Sequence, residues 1–482
     1  MAQKTLPPPP TGVEDVEPVP RPSRARRLSH RLFEPVDGAS LAVFRILFGA
    51  ILLWEVWRYF SNDWINRYFI EPSFHFTYYG FGWVQPWPGD WMYWHFAALG
   101  VLAACIMLGL FYRIAAPLFF LGFTYVFLLE QARYLNHFYF VALLAFLLCL
   151  VPAHRVWSLD SLLASKQWSP TVPTWSLWLL RAQVGIVFVG ASVAKWNGDW
   201  IRGQPLHLWL GERADFAIIG RFFDEMWTAL LFSWGGLLLD LLVVPFLLIP
   251  FTRPLALLAA FGFHFMNSKL FTIGIFPWLA LGTALLFFPP DWPRRLIQRI
   301  RERRLGLPRP PFVSRVGSPP TAWRLSHARI ALLAGLGLFL AVQLFMPLRH
   351  WLYPGNVSWT EEGHRFAWHM KLRDKASDAR FFVSDPASGR SNEIDPFVYL
   401  TEWQYDEMAA RPDMIVQFAR HFERDARKQF GVEDLKVTAD VETSLNGREY
   451  QRLIDPNADL TEVDMSPFAT ADFIEPLRTP LR

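Results

Sequence analysis

Between residues 41 and 348 the chain repeats one pattern: an apolar run close to membrane-spanning length, a short polar break, then another run. Nine such runs cover roughly residues 41–60, 91–112, 114–129, 136–151, 175–194, 228–250, 254–265, 270–290 and 330–348. Their length and composition predict about eight or nine transmembrane helices, the seventh short enough to be half-inserted or broken. Arg45, Glu55, Arg181 and Asp240 interrupt the apolar runs. Each is costly against lipid unless satisfied inside a bundle, and structural ion pairs between helices are the expected solution.

The pattern is different at both ends. Residues 1–31 carry PPPP at 7–10 and then RPSRARR, a composition that cannot bury a core, so a disordered basic tail is expected. Beyond Trp351 the apolar positions alternate over shorter distances. Residues 366–372 and 380–383 read as strands and 405–430 as an amphipathic helix. Residues 436–442 and 449–454 read as a hairpin across Asn446-Gly447. The expected architecture is a polytopic α-helical membrane protein: a tail over 1–31, a transmembrane domain over 32–349, and a soluble extracytoplasmic α+β domain over 350–482.

Composition supports this division. Of 482 residues 52% are hydrophobic, 16% aromatic and 19% charged, with 23 tryptophans. That places the chain among membrane proteins with an appended soluble part, and the aromatic excess fits interfacial belts. Five arginines between residues 21 and 31 and nine between 290 and 327 mark two cytoplasmic segments. Eight runs lie between them, an even number, and the ninth carries the chain out, so the C-terminal domain is expected to be periplasmic or lumenal. No cleavable signal peptide is visible, and the first span is expected to act as its own signal. Cys105 and Cys149 both fall inside apolar runs and are expected to be free thiols.

Candidate chemistry centres on Lys195, which ends the run 184–194 and is followed by Trp196-Asn197-Gly198-Asp199-Trp200. A lysine there either snorkels to the interface as an anchor or loses its proton on partial burial and acts as a base. The expected topology brings His137, Lys195 and His264 to one depth on the extracytoplasmic side. One such histidine is commonly hydrogen-bonded filler, whereas three convergent polar groups mark a candidate active site. With no HxxxH, HExxH or Cys/His cluster, no metal site is expected. No phosphate loop, GxSxG elbow or dinucleotide fingerprint is present, so ATP-driven, serine-hydrolase and NAD chemistry lack support. A lysine, two histidines and an aromatic-rich pocket suit a greasy planar cofactor.

Several runs then resemble the vitamin K-dependent γ-glutamyl carboxylase family. They are LFEPVDGASLAVFR (32–45), LNHFYFVALLAFLL (135–148), VAKWNGDWIRG (193–203), GGLLLD (235–240), FHFMNSKLFTIGIF (263–276), WTEEGHRFAWHM (359–370) and LIDPNADL (453–460). The resemblance implies a reduced vitamin K or menaquinol-like naphthoquinol, with O2 and CO2 as co-substrates. Oxidation of the quinol to its epoxide makes a strong base, and that base drives γ-carboxylation of glutamate in a protein or peptide.

By the same resemblance Lys195 is the base that deprotonates the quinol and His137 stands near the oxygenation centre. Asn136, His264 and Asn267 support the quinone, while Trp368, Met370 and Arg373 contact the substrate. Arg373 occupies a position where the family pattern leads one to expect histidine. Animal members carry a lumenal disulfide that this chain cannot form, which implies a bacterial member in the inner membrane. Membrane lipid is an expected partner and nucleic acid is not. Two alternatives stay open: a quinol epoxidase without carboxylation, and a quinone- or lipid-binding membrane protein without turnover.

Overall fold

The computed structural model describes residues 23–164, 169–271, 273–305, 326–386, 389–430, 435–466 and 469–481. Most of the expected tail (1–22) and the tip of the arginine-rich loop (306–325) lie outside the described residues. The end of the tail segment is helix α1, Arg24–Phe33, rather than disordered chain. It packs on the helix that ends in Lys195, and the Arg329 guanidinium covers the Phe33 ring at 4.9 Å, so the segment has a surface to bury.

Strand β1 (Pro35–Asp37) leads into α2 (Ala39–Ser61), where the Asp37 carboxylate accepts from the Ala39 amide at 2.8 Å and so caps the positive helix end. Then come α3 (Trp91–Leu108), α4 (Tyr112–Leu129), α5 (Asn136–Leu150) and the short α6 (Leu159–Leu163). Strand β2 (Thr171–Pro173) pairs antiparallel with β1, Val36 opposite Val172, and delivers the chain into α7 (Thr174–Lys195). Short helices α8 (Gly198–Ile201) and α9 (Leu206–Gly211) precede α10 (Met226–Leu248), α11 (Arg253–Leu270), α12 (Phe276–Ala284), α13 (Trp292–Leu305) and α14 (His327–Leu348).

Six helices among the described residues, α2, α3, α4, α7, α10 and α14, are long and apolar enough to cross a membrane. The other three apolar runs fold as α5, α11 and α12, which are shorter or, in α11, polar through Arg253, His264, Asn267 and Lys269.

The intramembrane charges do not all pair as expected. Arg45 donates to the carbonyl oxygens of Ile106 (2.7 Å) and Met107 (2.8 Å) at the end of α3, and to that of Trp157. Arg181 donates to Leu286 O at 2.8 Å, just past α12. Carbonyls at a helix C-terminus lack intrahelical partners and carry partial negative charge, so a guanidinium needs no acid there. Glu55 pairs with Arg58 inside α2 at 2.6 Å. Asp240 does pair between helices.

The C-terminal part holds α15 (Val357–Thr360), β3 (Lys375–Asp385), β4 (Arg390–Ile394), α16 (Glu402–Ala409), α17 (Pro412–Phe430), β5 (Lys436–Leu445) and β6 (Gln451–Arg452). The sheet runs β4-β3-β5-β6, antiparallel throughout. Val437, Ala439 and Val441 of β5 are buried, as are Met414, Ile415 and Phe418 of α17, with Phe418 edge-on to Phe381 at 4.8 Å. The single helix expected over 405–430 is two, because Pro412 opens a new helix and disfavours helical geometry at Arg411. The hairpin turn at Asn446-Gly447 is present with both residues at positive φ. Residues 366–372 are not a strand. Phe366, Trp368 and Lys371 take left-handed φ values of 63°, 60° and 52°, which rules out an extended run.

That left-handed loop docks the two halves together. Trp368 is fully buried, stacked on Tyr139 at 5.1 Å and set against Gly190 of α7. Arg448 and Asn446 clasp Asp199 after α7 at 2.6–2.8 Å. A Cβ at Gly190 would lie 2.6 Å from Trp368 Cδ1. Gly190→Ala should therefore destabilise the protein by about 1–3 kcal/mol, read as a lower melting temperature in detergent; an unchanged melting temperature would mean that the tryptophan is free to move aside.

Candidate functional site

Where the docked loop meets the bundle, a cavity of about 370 Å³ remains. Helices α5, α7, α10 and α11 supply one side, with Asn136 and His137, Lys195, Asp240, and His264 and Asn267. The loop supplies the other, through His369, Met370, Lys371 and Arg373. Phe232, Phe263, Phe271 and Phe276 make the remaining walls aromatic.

Lys195 is the last residue of α7 and is 5% exposed. Its Nζ donates to Asp240 Oδ2 on α10 at 2.7 Å and lies 5.4 Å from the Trp200 ring centre. Its amine is therefore paired inside the protein rather than snorkelling to the interface. A buried ammonium and carboxylate in contact form a unit whose two forms differ only in where one proton sits.

The two histidines flank one ring: His264 lies 5.7 Å and His137 6.5 Å from Phe276, centre to centre. His264 is 1% exposed, and neither of its ring nitrogens has a partner among the described residues. Buried polar atoms are normally satisfied, so an imidazole lining a cavity with both nitrogens open is suited to a ligand or water. Asn136 also braces the site. Its amide donates to His369 O at 3.1 Å and its carbonyl accepts from Tyr134 Oη at 3.0 Å.

On the loop side Arg373 forks onto Glu361 through Nε (2.5 Å) and Nη2 (2.8 Å). Burial alone would raise the Glu361 carboxyl, but Arg373, with His364 and Lys375 beside it, holds it well below the ordinary value of 4.5. Burial pushes Lys375 down to about 8 against the pull of Glu361. Arg411 likewise pairs with Glu407. Lys371 makes no ion pair within 4 Å among the described residues and sits 5.2 Å from the Trp209 ring centre, which leaves it the most available cation at this end.

The membrane half, residues 33–292, matches the family model described as HTTM domain, and residues 328–480 match the one described as vitamin K-dependent gamma-carboxylase, lumenal domain. The chain belongs to the vitamin K-dependent γ-carboxylase family. It is an integral membrane protein with a lumenal domain, and no solved structure matches it. The family acts on glutamate-containing substrates with reduced vitamin K, O2 and CO2.

Of the residues that the carboxylase resemblance singled out, Lys195, His137, Asn136, His264, Asn267, Met370 and Arg373 line this one cavity. Trp368 does not. It lies behind the wall as the plug that fixes the loop, because its left-handed backbone turns it toward α5 and α7. Asp240, Lys371, His364 and His369 were missed as site residues. The lone acid closing GGLLLD and the two imidazoles inside EEGHRFAWHM were the available signals.

Because the folded Glu361 carboxyl is depressed, its contribution to stability is full above the unfolded value of about 4.5 and fades as pH falls through the lower folded value. Glu361→Gln, which leaves Arg373 buried without its charge partner, should cost about 3–5 kcal/mol at pH 7. Thermal melts of both proteins from pH 7 to pH 3 should show the gap narrowing only at the acid end; a gap independent of pH would exclude the ion pair as its source.

Proposed function

We propose that this chain is a bacterial inner-membrane enzyme, N-terminus cytoplasmic, that couples oxidation of a reduced naphthoquinol to γ-carboxylation of glutamate in a protein or peptide. The observation that carries the proposal is the Lys195–Asp240 pair facing an aromatic-walled cavity shared with His137 and His264. The cavity falls in the size range of small-molecule sites, and its polar end matches a flat ring bearing hydroxyls. When bound, the quinol supplies, on reaction with O2, the strong base that a glutamate γ-carbon requires.

The protein's own groups handle protons, orientation and water. A quinol hydroxyl has a phenol-like pKa of about 10, beyond a lone histidine but within reach of a neutral amine. For Lys195 to accept that proton, the one it holds must pass to Asp240 Oδ2, 2.7 Å away. The pair is thus the proton-accepting unit. His264, Asn267 and Asn136 offer hydrogen bonds to the quinol oxygens, and His137 stands at the oxygenation end. The phenylalanine walls keep bulk water from the reactive base and leave room only for individual waters at the polar end. Lys371, Arg373 and Met370 face the entering glutamate side chain, Lys371 as its charge partner.

A second possibility, quinol epoxidation without carboxylation, is favoured by the neutralisation of Arg373 by Glu361 and of Arg411 by Glu407. Purified protein given vitamin K hydroquinone, a Glu-containing peptide and labelled CO2 should yield epoxide and labelled peptide. Epoxide without label would establish the second possibility. Lys195→Ala and Asp240→Asn should each lower epoxide formation about 100-fold or more. No epoxide from the wild type, or full epoxide from Lys195→Ala, would sink the assignment. Lys371→Ala should raise the KM for the peptide about tenfold, the loss of one charge-assisted hydrogen bond.

A further inference from the structure

The loop wall of the site holds imidazoles that the chemistry above leaves unused. His364 and His369 line the site cavity, while His369 and His350 line a second cavity of about 730 Å³ beside the end of α7 and residues 350–358. Among the described residues, His369 is the one side chain common to both linings. The rings of His350 and His369 stand perpendicular with centres 4.8 Å apart, and those of His364 and His369 are 5.0 Å apart.

Their nitrogens are poised rather than satisfied. Both nitrogens of His369 and Nε2 of His364 are buried without a partner among the described residues. His350 Nδ1 lies 2.8 Å from Pro347 O, and a carbonyl only accepts, so Nδ1 carries the hydrogen and Nε2 is left as an acceptor. Gly355 and Asn356, both exposed, open the second cavity to water, and Asn197, Tyr353 and Ser358 put polar groups along a lining that is otherwise largely apolar.

We propose that His369 and His350 form a proton path between the site cavity and the second cavity. The path rests on the assignment of Lys195 and Asp240 as the proton-accepting pair, since that pair must discharge before it can act again. In each hop one N–H or O–H bond forms as another breaks, and no change of oxidation state is involved. The Lys195–Asp240 pair gives a proton to a water in the site cavity, that water passes a proton to one nitrogen of His369, and the other nitrogen of His369 releases its own to a water beside His350. His350 Nε2 receives that proton and yields it to the second cavity, and His369 resets its tautomer by exchange with water.

The charged and titratable groups facing His369 are His350, His364, Glu361, Arg373 and Lys195. Burial first, then His350, hold the His369 ring down to about 3, so at neutral pH it keeps one accepting and one donating nitrogen.

The test uses the full-length protein in lipid nanodiscs with vitamin K hydroquinone. His369→Gln and His350→Gly should each lower kcat for epoxide formation about tenfold or more with KM for the quinol unchanged. Imidazole added to the buffer should restore rate to His350→Gly, because the second cavity admits it. In the resting protein without quinol, exchange of the ring N–H hydrogen with solvent deuterium, followed by nitrogen-15 NMR, should occur at His369 as well as His350. Wild-type turnover in either variant, a slow His350→Gly that imidazole does not restore, or a His369 ring sealed from exchange would each overturn the path. A wild type that oxidises no quinol overturns the proposed function instead, and the exchange measurement still decides whether the path is wet.

Discussion

A charge placed at membrane depth has to find its partner within the protein, and the way this chain meets that requirement sets out the site. Arg45 and Arg181 are met by backbone carbonyls at helix ends, where the partner is fixed and carries no proton of its own. Lys195 and Asp240 meet the same requirement with two titratable side chains on different helices, at the edge of a cavity. Arginine on carbonyls closes a joint. Lysine on aspartate leaves a proton with two places to sit, which is why one charged contact is structural and the other is suited to chemistry.

The helices that fall short as membrane spans complete the site beside the spanning α7 and α10, which carry Lys195 and Asp240. Full-length apolar helices such as α3, α4 and α14 have little to offer a polar ligand. By contrast α5, α11 and α12 are short or polar, and they contribute Asn136, His137, His264, Asn267 and Phe276 to the cavity. Interrupted apolar runs are tolerated where protein or a cavity, rather than lipid, surrounds them. α5 and α12 fall short by length, whereas in α11 the lower hydropathy is a consequence of the polar groups it carries.

Much of this was legible in the chain itself. Apolar run length located the helices because it depends on local composition alone, and the polar residues ending or interrupting those runs pointed to Lys195, His137 and His264. Asp240 was visible as a costly charge, but its pairing with Lys195 depends on how α7 packs against α10, and no local pattern encodes that register. Trp368 was placed with the substrate by resemblance to the carboxylase family, and alternation separately suggested a strand there. Its side depends on left-handed backbone at Phe366, Trp368 and Lys371, which non-glycine residues adopt only when their surroundings enforce it. The helix at Arg24–Phe33 was hidden for a related reason: its sequence is too polar to predict burial, and the surface it leans on is made elsewhere in the chain.

The loop that closes the cavity follows α7 and α10 in the chain, so it leaves the ribosome after them. When α7 and α10 are already inserted, the aromatic chamber still lacks the wall that Trp368 and its neighbours provide, and it stands open to the lumen. A nascent or truncated protein could hold the proton-active pair yet have no enclosure in which a powerful base would be safe from quenching. On the proposed chemistry, assembly order acts as a safeguard: the chamber is enclosed only after the loop has followed α7 and α10 and the two halves have locked together.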